Sequence, residues 1–418
     1  MFFQRQADRI TDVYHEYPAA FWRLVGVTFV DRLGGSLLYP FFALYITSRF
    51  GVGMTQVGVL FSLFFLSSFV GSMVGGALTD RIGRRSIVIF SLLTTSISSV
   101  AMGLVGTLEG FFMVALVGGV FNEIGGPAYQ AMVADLLPRE KRAQGYGIIR
   151  VAFNLAVTIG PAIGGFLATR SYLMLFVSDA LISTITAGLV FFTLPETKPE
   201  PIEGAQVESL ARTFGGYFHV LRDAAFMGFL GAAILMGLVY MNMGTTLGVY
   251  LRDVHGVAES GYGLILSLNA AMVVLLQFPI TRRIEGLPPM LVMAFGTFLY
   301  ALGFGLYGLV SSFALFLLAI AIVTIGEMLV APVAQAVTAT LAPEDMRGRY
   351  MAVFGFSFGI PFAIGPLLAG LILDNLNPNL LWLSAAILGT IAAFLFLLLH
   401  RSYRAETVPS TPEPQPPV

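Results

Sequence analysis

Twelve long apolar runs, separated by short polar segments, are the feature that most constrains how this chain can fold. Each run is about 20 residues or longer, the length that an α-helix needs to cross the hydrocarbon core of a bilayer. Strands of a membrane barrel would be about 10 residues of alternating polarity, so the runs predict helices. They lie near residues 21–47, 55–79, 86–107, 111–136, 142–169, 172–194, 225–251, 259–282, 287–310, 312–341, 345–374 and 379–400.

The composition excludes most other classes of protein. Of 418 residues, 56% are hydrophobic and 11% are charged, whereas soluble domains carry about 25% charged residues. A net charge of −1 indicates no nucleic-acid partner, and a chain without cysteine has no disulfide framework, thiol nucleophile or thiolate metal site. No HExxH motif and no phosphate-binding GxxxxGK[ST] loop is present. We therefore expect neither an enzyme nor an ATP-driven pump, and no cofactor or metal.

Basic residues indicate how the chain is oriented. With a cytoplasmic N-terminus, seventeen of the 23 Lys and Arg residues fall in cytoplasmic segments, and the outer loops hold only Arg49, Arg170 and Arg252. Because cytoplasmic loops are enriched in basic residues, this distribution predicts a multi-pass protein of the cell membrane with both termini in the cytoplasm.

The longest polar interval, 195–224, divides the twelve runs into six and six. It is expected to be a cytoplasmic linker between two six-helix bundles, 21–194 and 225–400. Residues 1–20 are predicted to be a cytoplasmic N-terminal segment. Residues 401–418, which contain five prolines after Thr407, are predicted to be a disordered cytoplasmic tail.

An internal repeat relates the two halves. Shifting the sequence by 205 positions aligns Gly58 with Gly263 and Gly165 with Gly370, and it superimposes two Gly-Pro pairs, Gly160-Pro161 and Gly365-Pro366. Because six is an even number of crossings, the duplicated units are parallel. Parallel repeats with a binding site between them are one of the known transporter architectures.

Acidic residues inside the spans are the sharpest functional signal, because an ionisable group near mid-bilayer is costly and functional by default. Glu327 has no basic residue in its span and is the best candidate for a proton carrier, helped by Asp31 and Glu123. Asp31 adjoins Arg32, but neighbouring helix positions point about 100° apart, so these two need not pair. Arg32 could reach Glu123, or Asp31 could meet Arg150, and a structural ion pair remains the alternative.

A substrate cavity lined by aromatic and methionine side chains would suit greasy, variable ligands. With 36 phenylalanines in the chain, many of these must instead face lipid. The candidate lining residues are Arg32, Tyr39, Phe42, Phe121, Arg150, Tyr240, Asn242 and Met328.

Two motifs carry a family resemblance. The loop 76–85, GALTDRIGRR, resembles the signature loop of the major facilitator superfamily in its residues Gly76, Asp80, Arg81, Gly83, Arg84 and Arg85. The fifth run resembles the glycine–proline pattern of that superfamily's antiporters in its residues Gly147, Gly160, Pro161, Gly164 and Gly165. Pro195-Glu196-Thr197 after the sixth run is also typical. The chain is most similar to the twelve-helix drug:proton antiporters, but it lacks their usual arginine in the fourth run, for which Arg150 or Arg32 could substitute.

The resemblance implies an all-α membrane protein of twelve transmembrane helices in two pseudo-symmetric six-helix bundles that works by alternating access. It implies that Asp80 latches onto the N-terminus of the eleventh run. Asp135 could pair with Arg81 or Arg142.

The expected activity is proton-coupled efflux of hydrophobic or cationic amphipathic small molecules, with the proton gradient as its energy source. The expected partners are the bilayer, protons and the substrate, and we expect a monomer. A transporter of a specific polar metabolite or of a lipid, with the same fold, is the alternative.

Overall fold

The computed structural model describes residues 16–138, 141–198, 217–343 and 346–407. Within these ranges the chain forms helices and no strand, which confirms the predicted all-α fold. Among the described residues, eleven helical stretches are long and apolar enough to cross a membrane, and they correspond to the second to twelfth predicted runs. The first run is helical too, but its helix Ala19–Leu38 carries three charged residues, Arg23, Asp31 and Arg32.

Each predicted run corresponds to one span, numbered here in chain order. Span 1 comprises Ala19–Leu38 and Phe42–Phe50, span 2 Met54–Ile82, span 3 Arg84–Leu104, span 4 Leu108–Glu123 and Gly125–Leu136, span 5 Arg142–Ala168, span 6 Tyr172–Thr193, span 7 Ala224–Thr245 and Leu247–His255, span 8 Glu259–Ile284, span 9 Pro289–Tyr307, span 10 Phe313–Leu341, span 11 Arg347–Phe354 and Phe356–Asn375, and span 12 Asn379–Thr407.

Local sequence explains where span 1 bends and where it ends. The 3-10 turn Tyr39–Phe41 interrupts it at Pro40, because proline has no N–H to donate and its ring crowds the preceding turn. Span 1 ends at Gly51 and span 7 at Gly256, with φ of 64° and 65°, the left-handed conformation that glycine adopts without a steric penalty. These two glycines are also 205 positions apart, as the repeat predicts.

The chain divides into two compact units. The first contains Met1–Ala205, Asn242–Val274 and Pro366–Leu376, and the second contains Gln206–Met241, Leu275–Gly365 and Asn377–Val418. The first unit thus combines the predicted bundle 21–194 with parts of spans 7, 8 and 11. Those parts lie at the ends that the predicted orientation places outside, which are called outer ends below.

Each unit has its own buried packing. In the first, spans 1, 3, 4 and 6 meet in a cluster that includes Phe21, Val88, Met132 and Val190. In the second, the indole of Trp382 in span 12 stacks on the ring of Phe304 in span 9, with 6.3 Å between the ring centroids.

The chain ends differ in part from the prediction. The helix of span 12 continues to Thr407, so the prediction of a disordered tail from residue 401 is wrong for 401–407. Extending an existing helix requires no new nucleation, which explains how it passes beyond its apolar stretch. The remaining predicted N-terminal segment (1–15), linker (199–216) and tail (408–418) lie outside the described residues.

Candidate functional site

A polar cavity of about 570 Å³ lies within the first unit, between spans 1, 2, 4 and 5. Its volume is in the range of small-molecule sites, about 300–1,000 Å³. Four of its charged side chains, Asp31, Arg32, Glu123 and Arg150, were candidates from the sequence. The full lining is Thr28, Asp31, Arg32, Ser72, Glu123, Gly126, Pro127, Tyr129, Gln130, Val133, Tyr146, Ile149, Arg150 and Phe153.

The charges of the cavity centre on Arg32. Its Nε lies 3.7 Å from Oδ2 of Asp31, and its side chain is 46% exposed while that of Asp31 is 18% exposed. These neighbours therefore pair after all, because a flexible guanidinium side chain is long enough to cover the 100° step. The guanidinium carbon also lies 5.7 Å from the ring centroid of Phe153, within cation–π range.

Glu327 belongs to the second unit, whereas Asp31 and Glu123 line the cavity of the first. The hydroxyl of Tyr240 donates a hydrogen bond of 2.9 Å to Oε1 of Glu327. The ring of Tyr240 in turn packs on that of Tyr300, with 5.4 Å between centroids. Spans 7 and 9 thus provide a hydrogen-bond donor and an aromatic support beside the half-buried carboxyl of span 10.

Several predicted lining residues lie elsewhere. The ring of Phe42 packs among aromatic rings that include Phe111, and Phe121 packs on Phe90. Met328 is fully buried, because it lies one step around the helix from the half-exposed Glu327 and faces the packed interior. None of these three lines the cavity of the first unit, and their place in a substrate cavity remains a prediction. Tyr39, Tyr240 and Asn242 are also absent from the lining of the cavity in the first unit.

Ser72 and Gln130 are among the polar lining residues that the sequence did not identify. Gln130 follows Glu123 by seven positions, two helical turns, and this spacing could have identified it as a residue of the same face. Ser72 has no comparable signal.

The signature loop makes a dense polar cluster. Arg84 is buried, and its Nε donates to Oδ2 of Asp135 at 3.0 Å while its Nη1 donates to the backbone oxygen of Thr79 at 3.0 Å. The prediction that Asp135 pairs with Arg81 or Arg142 is therefore wrong. Gly83, with φ of 120°, turns the chain so that Arg84 points inward, whereas Arg81 is exposed.

Glu196, which follows span 6 in the segment Pro195-Glu196-Thr197, completes this cluster. Its Oε1 accepts hydrogen bonds from the backbone N–H groups of Arg84, at 2.7 Å, and Arg85, at 3.4 Å. These are the first residues of span 3, so Glu196 caps that helix, where a negative charge is favourable. The side chain of Asp80 lies outside the described residues, and the latch assigned to it remains a prediction.

The glycines of span 5 differ in what surrounds them. A Cβ on Gly160 would overlap Ser36, and one on Gly164 would overlap the backbone of Leu37, so span 1 approaches span 5 closely at both. Gly165 faces span 8, where a Cβ would lie 3.1 Å from Cα of Gly263. A Cβ on Gly147, by contrast, would have open space around it. Pro161 lies inside the same helix.

Arg252 joins the outer ends of spans 7 and 1. Its Nη1 donates to the backbone oxygen of Leu44 at 3.1 Å, and its Nη2 donates to Oγ1 of Thr47 at 3.0 Å. A cation is favourable at the C-terminal end of a helix, and the guanidinium of Arg252 lies at that end of span 1.

A family model described as Major Facilitator Superfamily matches residues 24–260 and 229–418. A Na(+), Li(+), K(+)/H(+) antiporter of Planococcus maritimus is 27% identical over 372 residues, which cover 82% of this chain and 87% of the relative. The multidrug resistance protein MdtH of Shigella boydii is 24% identical over 378 residues, 88% of this chain and 90% of the relative.

Solved transporters share the fold. The nucleoside transporter NupG has a TM-score of 0.77 at 14% identity and covers 91% of this chain and 99% of its own. A POT family transporter has a TM-score of 0.75 at 18% identity, covering 92% and 96%. With a family model that matches nearly the whole length, the chain belongs to the Major Facilitator Superfamily and is a membrane transporter, not an enzyme.

Proposed function

We propose that this transporter exports cationic amphipathic small molecules in exchange for protons by alternating access. The observation that carries the proposal is the cavity of the first unit, in which the carboxyl groups of Asp31 and Glu123 face the same space as the rings of Tyr146 and Phe153. Carboxylates attract the charge of a lipophilic cation, and aromatic rings accept its apolar part.

Competition explains how such a site would couple the two movements. A carboxyl shielded from water binds a proton readily, and a cation that approaches the same carboxyl displaces that proton. Release of the substrate then lets the proton return from the other side. The carboxyls at which cation and proton would compete in the cavity are Asp31 and Glu123. Glu327 of the second unit, held by Tyr240 at 2.9 Å, is the proposed carrier of the coupling proton, helped by these two. The relatives named as a cation/proton antiporter and as a multidrug resistance protein support this proposal.

A specific polar metabolite is the second candidate substrate. Arg32 and Arg150 balance the two acids of the cavity, and a site with equal numbers of both charges also suits a zwitterion. A lipophilic cation needs no guanidinium partner, whereas a zwitterion would use one.

Proton flux into liposomes tests the proposal. The purified protein is reconstituted with a trapped pH-sensitive dye, a proton gradient is imposed, and lipophilic cations, Na⁺, K⁺ and zwitterions are added in turn. We expect lipophilic cations to evoke proton flux in the unsubstituted protein and not in Glu327→Gln. Glu109→Gln, which changes an exposed acid in the first turn of span 4, serves as the control and should behave as the unsubstituted protein does.

The other outcomes separate the alternatives. Flux that persists in Glu327→Gln moves the proton site to Asp31 or Glu123. Flux evoked only by zwitterions, and lost in Arg32→Gln, favours the polar metabolite. If no cation of either kind evokes flux, the proposal of cation/proton exchange is wrong.

A further inference from the structure

A carboxylate of span 11 caps the outer end of span 2. Oδ1 of Asp374 accepts a hydrogen bond of 2.9 Å from the backbone N–H of Met54, and its Oδ2 accepts one of 2.7 Å from that of Thr55. Met54 is the first residue of span 2. The first N–H groups of a helix have no partner within the helix, and the helix dipole favours a negative charge there. The two contacts therefore join helices whose contacting residues are 320 positions apart in the chain.

Span 2 depends on this carboxylate because it has no cap of its own. Its N-cap residue is Gly53, which provides no side-chain hydrogen bond. The φ of Gly53 is −77°, a value that any residue adopts, so backbone conformation does not require glycine at this position. Space does, because a Cβ on Gly53 would overlap the carboxylate of Asp374.

The surrounding packing brings the two ends close enough for these bonds. Gly370, one helical turn before Asp374, lies against the backbone of Met54, where a Cβ would overlap it. Further along span 2, Gly58 lies equally close to the backbone of Leu367. Two glycines thus set the distance between the helices, and Asp374 adds the polar contact at its outer end.

Spans 2 and 11 belong to different halves of the internal repeat, and alternating access moves such repeats against each other. The outer ends must separate whenever the transporter opens outward, and both hydrogen bonds must then break. We propose that Asp374 is an outer latch, a carboxylate that stabilises the outward-closed state by capping span 2 and that releases it in each transport cycle. If Asp80 contacts span 11 as the family resemblance implies, one helix pair would carry a carboxylate latch at each end.

Distance measurements between spin labels test the latch directly. The chain contains no cysteine, so Gln56→Cys and Leu376→Cys, both at exposed positions beside the latch, can be labelled without background. We expect Asp374→Asn and Gly53→Ala each to raise the ratio of outward-open to outward-closed molecules about 2- to 30-fold, the range that corresponds to loss of a helix cap. Asp374→Asn removes the charge, whereas Gly53→Ala keeps the carboxylate and blocks its approach.

Glu109→Gln is the matched control, because it removes an exposed acid from the outer side that lies in the first turn of its own helix. It should leave the distance distribution unchanged. Unchanged distances in both latch variants would overturn the proposal. A shift in Asp374→Asn but not in Gly53→Ala would overturn it too, because the effect would then come from surface charge and not from the contact with span 2. The measurement uses neither substrate nor a proton gradient, so it is independent of the proposed exchange activity.

Discussion

Replacing Arg84 by methionine should destabilise the first unit strongly, although the residue lies in a loop motif at the membrane surface. The substitution keeps an apolar stem of similar length and removes the guanidinium. It eliminates the 3.0 Å hydrogen bond to Asp135 and the 3.0 Å hydrogen bond to the backbone oxygen of Thr79. The side chain of Arg84 is only 7% exposed, whereas that of Asp135 is 25% exposed.

The size of the destabilisation depends on how well the carboxylate of Asp135 is compensated once Arg84 is removed. Breaking a buried ion pair by removing one partner costs about 3–5 kcal/mol when the remaining charge is uncompensated. Asp135 keeps a hydrogen bond of 3.1 Å from the hydroxyl of Thr197, and water reaches part of it, so a cost of about 2 kcal/mol is expected. For domains of about 150–250 residues, this corresponds to a Tm lower by about 4–8 °C.

Thermal unfolding in detergent, followed by the fluorescence of Trp22 in a shared Trp382→Phe background, measures this loss, because Trp22 packs against the core of the first unit. Arg81→Met is the control, since Arg81 belongs to the same motif but is exposed, and it should change Tm by less than about 2 °C. Equal effects of the two substitutions, or a change of less than about 1 °C for Arg84→Met, would refute the assignment of Arg84 as the buried centre of the cluster.

The remaining predictions concern single contacts. Gly160→Ala should destabilise the protein by about 1–3 kcal/mol, because the new Cβ would overlap Ser36. Gly147→Ala should be neutral or stabilising by up to about 1 kcal/mol, because a Cβ there has open space around it. Thermal unfolding compares the two variants, and equal losses of stability would contradict the close packing at Gly160. Met328→Ala should destabilise the protein by about 2–5 kcal/mol, since Met328 is fully buried. It should leave the order of substrate preference in the flux assay unchanged. A changed order would indicate that Met328 contacts the substrate. Glu196→Gln should accelerate amide exchange at the start of span 3 about 5-fold, as expected for a weakened helix cap, and an unchanged rate would show that Glu196 does not protect these amides.

The positions of the spans could be predicted from the sequence closely. Span 3 was expected at 86–107 and forms Arg84–Leu104, and span 11 was expected at 345–374 and extends over Arg347–Asn375. Bilayer thickness sets the length of such helices, and Pro, Gly and charged residues mark their ends. Helices crossing a membrane must also satisfy their own backbone hydrogen bonds, so few alternative structures compete.

The buried face of each span was harder to predict from the sequence than its position in the chain. Span 10 is predominantly apolar, and a helix of that kind gives little periodic signal of its orientation. For this reason the sequence does not indicate that Met328 is fully buried or that Phe121 packs on Phe90. The partner of Asp135 was missed for a different reason. Several arginines flank the cytoplasmic ends of the neighbouring spans, so the sequence does not choose among them as partners of Asp135. The turn at Gly83 directs the side chain of Arg84 inward, toward Asp135.

The internal repeat allows the crossing that carries the proposed outer latch to be compared with its equivalent in the other half. The 205-residue offset relates the crossing of spans 2 and 11, where Gly370 lies against Met54, to the crossing of spans 5 and 8, where Gly165 lies against Glu259 and Gly263. Close backbone packing was therefore retained in both copies. The position equivalent to Asp374 is Thr169, whose hydroxyl donates to the backbone oxygen of Phe166 in its own helix.

At the second crossing, the polar contact runs from the hydroxyl of Tyr172 to Oε1 of Glu259, at 2.6 Å. There the carboxylate belongs to the N-terminal turn of span 8 itself and accepts from a side chain of span 6, not from the backbone N–H groups of another helix. Duplication thus preserved the glycines that let the helices approach, while the described carboxylate contacts differ between the crossings: Asp374 caps span 2, and Glu259 accepts from Tyr172. The glycine packing alone is common to both sides, and the energetic difference between the outward-closed and outward-open states should therefore depend more on Asp374 than on any residue of the crossing between spans 5 and 8.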